Sequence, residues 1–168
     1  MGINAVSAQI LKPVTSTTVG VGAISAGGTT RRIFLTEFLC GSDAATLGTS
    51  NFRWELTRST SAATGTSVSA TYVDGHALGG AEVDFSTGSS PSFVAIGNIK
   101  SNLTANGTLT SGAIMLTLAL AQQATFRWVA NPGFEIVIPA ISAAGIHFLT
   151  PVCAGTPSVA AHITCEDR

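Results

Sequence analysis

Three apolar runs of strand length crowd the stretch Thr125–Val152: Phe126–Ala130, Phe134–Pro139 and Ile146–Val152. Asn131-Pro132-Gly133 separates the first two and Ala143-Ala144-Gly145 the last two. Pro fixes φ and lacks a donor, while Gly tolerates positive φ, so such clusters punctuate the chain. The runs are too short and too β-branched for helices, and the spacing predicts an antiparallel meander. Upstream, Arg32–Cys40 is apolar on both parities, which predicts a central strand covered on both sides. Asn51–Arg58 alternates: Phe52, Trp54 and Leu56 fall on one face, Arg53, Glu55 and Thr57 on the other, as in a half-buried strand. Thr66–Val73 is expected as its hairpin partner. Thr17–Ile24, with Gly20 and Gly22, reads as a weak edge strand. Further strands are expected at Phe93–Ile99, Ile114–Leu120 and Ser158–Thr164, with Asn106-Gly107 as a hairpin signal. Asp74–Pro91 is a long Gly-rich loop.

The pattern predicts an all-β fold: a two-sheet antiparallel sandwich, jelly-roll-like, of about nine or ten strands. Residues 1–16 carry Ile3, Val6, Ile10 and Leu11 before Pro13 and read as an N-terminal arm docking on its own sandwich or on a neighbour. Residues 17–168 form the single sandwich domain.

Composition changes this picture in one respect. Charged residues make up only 10% of the 168, with a net charge of −1, against roughly 25% in typical domains. The 17 Ser, 22 Thr, 24 Ala and 18 Gly supply the surface instead. Charge repulsion does little to keep copies of such a chain apart, so association is expected. The eight basic residues are scattered apart from Arg31-Arg32, giving no footprint for nucleic acid. No apolar stretch approaches the roughly 20 residues of a membrane helix, and the N-terminus lacks the form of a signal peptide. Cys40, Cys153 and Cys165 are expected as reduced thiols, with a Cys153–Cys165 bridge as the lesser alternative.

Candidate chemistry is sparse. His162, Cys165 and Glu166 have metal-like spacing but lack a completing cluster. Glu82 and Asp84 lack a calcium-loop pattern, and no nucleophile turn or dinucleotide fingerprint is present. No catalytic residue, metal or cofactor is expected. Phe52-Arg53-Trp54 recurs as Phe126-Arg127-Trp128, each a pair of aromatics on one face with Arg on the other. The first reading is core; the second is a sugar-stacking platform.

Arg32–Gly41 (RIFLTEFLCG), the Ala/Thr-rich loop after it, Phe52–Arg58 (FRWELTR), Asn131–Pro139 (NPGFEIVIP) and Gly145-Ile-His-Phe together resemble the small β-sandwich virion proteins of tailed bacteriophages. That resemblance implies a capsid decoration (cement) protein without enzymatic activity, made in the host cytoplasm and seated on the outside of the head. The implied partners are its own copies, as a homotrimer, and the major capsid protein. Ile3, Val6, Ile10, Leu11, Arg31 and Arg32 are the expected contact residues. A carbohydrate-binding module of a tail or fibre, using Trp54, Tyr72 or Trp128, is the alternative.

Overall fold

The structure is a computed structural model. It describes residues 4–13, 20–26, 32–42, 52–68, 71–72, 97–121, 123–140, 144–150 and 158–167. These contain twelve strands: β1 (Asn4–Pro13), β2 (Gly22–Ala26), β3 (Ile33–Ser42), β4 (Phe52–Ser59), β5 (Thr64–Ser67), β6 (Thr71–Tyr72), β7 (Gly97–Ala105), β8 (Leu109–Leu120), β9 (Phe126–Val129), β10 (Ile136–Ile138), β11 (Gly145–Leu149) and β12 (Ser158–Asp167). They build two six-stranded antiparallel sheets. Sheet A runs β10-β3-β12-β1-β6, with β9 also on β3; sheet B runs β5-β7-β2-β11-β4-β8.

The order β1-β12-β3-β9/β10 opposite β2-β11-β4-β8 makes the chain alternate between sheets in the jelly-roll manner, so the all-β sandwich stands. Residues 4–13, expected as an arm, are a strand of the sandwich itself. β1 pairs with β12 from Asn4↔Asp167 to Pro13↔Ser158, and with β6 on its other side.

The core fills the space between the sheets. Sheet A contributes Ile10, Ile33, Leu35, Phe38, Ile138 and Ile163; sheet B contributes Ile24, Trp54, Leu56, Ile99, Ile146 and Phe148. Phe38 is the hub: it stacks on Phe148 at a centroid distance of 5.2 Å and meets Trp54 edge-on at 5.8 Å. Burying each such side chain contributes about 1.5–3 kcal/mol, with a further 0.5–1.5 kcal/mol or so from each aromatic pair.

Several expectations give way. Phe126–Ala130 and Phe134–Pro139 are not a hairpin, and the last run is not their meander partner. β9 and β10 are collinear, both antiparallel to β3, while β11 lies in the other sheet between β2 and β4. Ala130 N donates to Thr36 O at the end of the first ladder, and Ile136 resumes pairing opposite Leu35. Residues 131–135 loop out of this strand as an excursion. Phe134 N donates to Asn131 O at 2.9 Å, with Pro132 second and Gly133 third at φ +87°. That geometry is a type II turn, which requires positive φ at the position Gly133 holds.

Neither is β2 an edge strand. It lies between β7 and β11, and its Gly22 lets Ile10 of the facing sheet approach closely. β3 is central in sheet A, but its outer face is open: Leu39 is 39% exposed. β5 does not fold back on β4. Thr66–Ser67 pairs with β7, and β6 pairs with β1. Asn106-Gly107 joins β7 to β8, which are not mutually paired. The loop Asp74–Pro91 lies outside the described residues.

Candidate functional site

Sheet B does not lie flat. β4 and β5 are separated by residues 60–63 only, and β7 and β8 by residues 106–108 only, although each pair stands four strand positions apart. Four positions in a flat sheet span about 19 Å, which the three residues linking β7 to β8 cannot bridge even fully extended. The sheet therefore curls. β4 runs on into β5, β8 runs back into β7, and the two form one antiparallel ribbon. Ser59 pairs with Leu109, Thr60 N donates to Thr108 O, and Thr64 pairs with Ala105. Thr108 N donates to Ser61 Oγ at 2.7 Å. Gly107 is seated so tightly on the Ser61 backbone that no Cβ fits there. The ribbon's far half joins β2, and the outer face of sheet B becomes an interior.

This enclosure explains a burial pattern that alternation alone does not give. Glu55 and Thr57, expected in solvent, are 9% and 5% exposed, and Ser25, Ser59 and His147 are also buried. Arg53 stays exposed and pairs with Glu55 at 3.0 Å. Ala23, Ala63 and Leu103 form a small apolar cluster of their own on this side. Strand register sets the polar groups side by side: His147 lies opposite Ala23 and Thr57, and Ala23 lies opposite Lys100. Gly145 lies opposite Ser25 and Ser59. A cavity of about 90 Å³ opens beneath the 61–63 corner, with His147, Ser25, Ser59, Ser61 and Lys100 among its lining residues.

Three buried atoms here have no hydrogen-bond partner within the protein: Thr57 Oγ1, Ser59 Oγ and His147 Nδ1. An unmet buried polar atom costs about 1–3 kcal/mol, so three on two neighbouring strands mark this as the most unusual polar site among the described residues. Burial pushes the His147 imidazole down to about 4, so it is neutral at pH 7. At one end of the curl, buried Lys12 donates to Gly20 O at 3.0 Å and Leu103 O at 2.8 Å. Desolvation holds its ammonium below the usual lysine range.

The residues expected to contact a capsid are not gathered in one place. Ile3 and Arg31 lie outside the described residues. Val6 and Leu11 stand within the β1 ladder, their backbones opposite Cys165 and Ala160. Ile10 is 0% exposed in the core and unavailable to a partner, because its parity on β1 turns it toward sheet B. Arg32 is exposed just before β3. His162 and Cys165 do not converge on a metal: His162 is exposed, whereas Cys165 is in the core. Cys40 and Cys165 are free and buried, and burial pushes the Cys40 thiol up to about 12. Cys153 lies outside the described residues. Among the described residues no group of three or more His, Cys, Asp or Glu could hold a metal ion.

Of the aromatic platforms, Trp54 is 1% exposed and Trp128 packs half-buried against the core. The Tyr72 side chain lies outside the described residues. The repeated Phe-Arg-Trp motif places its two tryptophans in different sheets around one residue: Trp54 meets Phe38 edge-on and Trp128 is opposite Phe38 in the ladder. No protein-family model matches the chain, and no curated protein or solved structure matches it significantly.

The buried polar group of His147, Thr57 and Ser59 was missed in the sequence. One signal for it was present: a histidine inside the apolar strand Ile146-His147-Phe148-Leu149.

Proposed function

We propose that this is a structural virion protein, a decoration protein that self-associates, as a homotrimer, on the outside of a phage head. The observation that carries the reading is Phe134, 78% exposed at the tip of the excursion between β9 and β10. A large ring held out on a hydrogen-bonded type II turn has the form of an anchor for a partner's pocket. Val129 at 54% and Leu39 at 39% exposure lie on the open face of sheet A, beside the Arg127–Glu37 ion pair. Ile114, 48% exposed, is on β8, the edge strand of sheet B, whose twelve residues include no charge and so no guard against pairing. The shortage of charge over the whole chain favours the same outcome, and closed rotational symmetry is how such a surface stops growing. The carbohydrate-binding alternative loses Trp54 as a stacking platform.

Light scattering on the purified protein is expected to give a trimer. Phe134→Ser is expected to weaken association at least about tenfold, as for an interface anchor. Its thermal midpoint is expected to stay within about 2 °C, because the ring takes little part in the core. Cosedimentation with tailed-phage heads stripped of decoration protein tests the role. A wild-type monomer that ignores such heads would overturn the proposal.

A further inference from the structure

The cavity enclosed by the curled sheet B has the wrong chemistry for an ordinary piece of core. Its volume, about 90 Å³, is about three water volumes, close to the size of a tetrahedral oxyanion. Lys100 is the one charged residue among those lining it, and no carboxylate is among them. Lys100 Nζ donates to Ser67 Oγ at 2.6 Å, and an ammonium carries three donors. Ser59 and His147 line the same space, and Ser59 Oγ and His147 Nδ1 have no partner in the protein, their residues being 95% and 99% buried. Thr57 Oγ1 stands beside His147 on the paired strand.

We propose that this cavity is a binding site for a small tetrahedral oxyanion, phosphate or sulfate in kind, held by the Lys100 ammonium, the Ser59 hydroxyl and the Nδ1–H tautomer of His147. A cation is disfavoured by Lys100 and by the lack of a carboxylate. An apolar guest would leave Ser59 Oγ and His147 Nδ1 unmet. The imidazole need not gain a proton, since a neutral ring donates from Nδ1 and leaves the net attraction to Lys100. The backbone that frames the site is held independently, by the Ser61–Thr108 hydrogen bonds of the ribbon. This inference is independent of the role at the capsid.

The test uses the full chain in chloride buffer at pH 7 and constant ionic strength. Inorganic phosphate, sulfate or methyl phosphate is titrated in while the His147 ring nitrogens are followed by NMR. Thermal midpoints alone would mislead, because sulfate stabilises folded proteins without binding. The expected result is a saturable shift of the His147 resonances, weakened about tenfold or more in Lys100→Met and in Ser59→Ala, as for loss of a charge-assisted contact. An equal response to methyl phosphate would place the source in a phosphate ester; a response to the inorganic ions alone would make it the free ion. A linear response, or a saturable one untouched by both substitutions, would overturn the proposal and leave the cavity to water.

Discussion

At the scale of single residues, His147 governs how the fold responds to acid. Its imidazole titrates near 4 in the folded chain and near 6.5 when unfolded. Above pH 6.5 both forms are neutral and stability is complete. Between pH 6.5 and 4 the unfolded chain takes up a proton that the folded one refuses, so stability falls as pH falls, by about 3 kcal/mol over that window. Urea midpoints at pH 7.5 and 4.5 are expected to differ clearly more for the wild type than for His147→Gln, and equal differences would remove His147 as the cause. The sequence showed less of this than of the aromatic core. The alternation through Phe52–Thr57 assigned Trp54 and Leu56 to the interior, where they lie. The same alternation left Glu55 and Thr57 in solvent, because parity states which residues share a face and says nothing of what covers it. Two strands distant in sequence supply that cover.

At the scale of elements, the ribbon made by β4–β5 and β7–β8 depends on one close contact. Gly107 touches the Ser61 backbone, and a Cβ there has to displace it. Gly107→Ala is expected to cost about 1–3 kcal/mol, the usual penalty of overpacking, and to lower the thermal midpoint by roughly 2–10 °C at this chain length. A midpoint within 1 °C of wild type would mean that the corner yields freely. Asn106-Gly107 and Asn131-Pro132-Gly133 also show where local signals stop. The second is a genuine reversal of the backbone, as its residue chemistry required, whereas the first is not: residues 106–108 carry β7 straight on into β8 along the ribbon. The first links two strands that never pair, and the second returns the chain to the ladder it left. A turn's sequence fixes three or four pairs of dihedrals; which strand the chain meets next is decided by register over ten residues. Thus strand positions such as Ile33–Ser42 and Phe126–Val129 were legible, and their neighbours were not.

At the scale of the whole molecule, the pairing of β1 with β12 has a consequence for how the protein is made. The first strand's longest ladder is to the last one, with Asn4 opposite Asp167, and β12 also closes β3 on its far side. During synthesis, everything up to residue 157 is outside the ribosome before sheet A has its middle. Contacts of such large sequence separation form slowly and late, and until then Ile10, Leu35 and Phe38 lack the Ile163 side of their core. Sheet A therefore stays incomplete until the ten residues of β12 have been made. A chain ending at residue 157 is expected to be digested by a nonspecific protease under conditions in which the full-length chain survives, and equal resistance of the two would show that the sandwich closes without its last strand. A frameshift or stop codon anywhere upstream of β12 therefore removes the middle of sheet A outright, leaving a chain that cannot close its sandwich in place of a slightly weakened one.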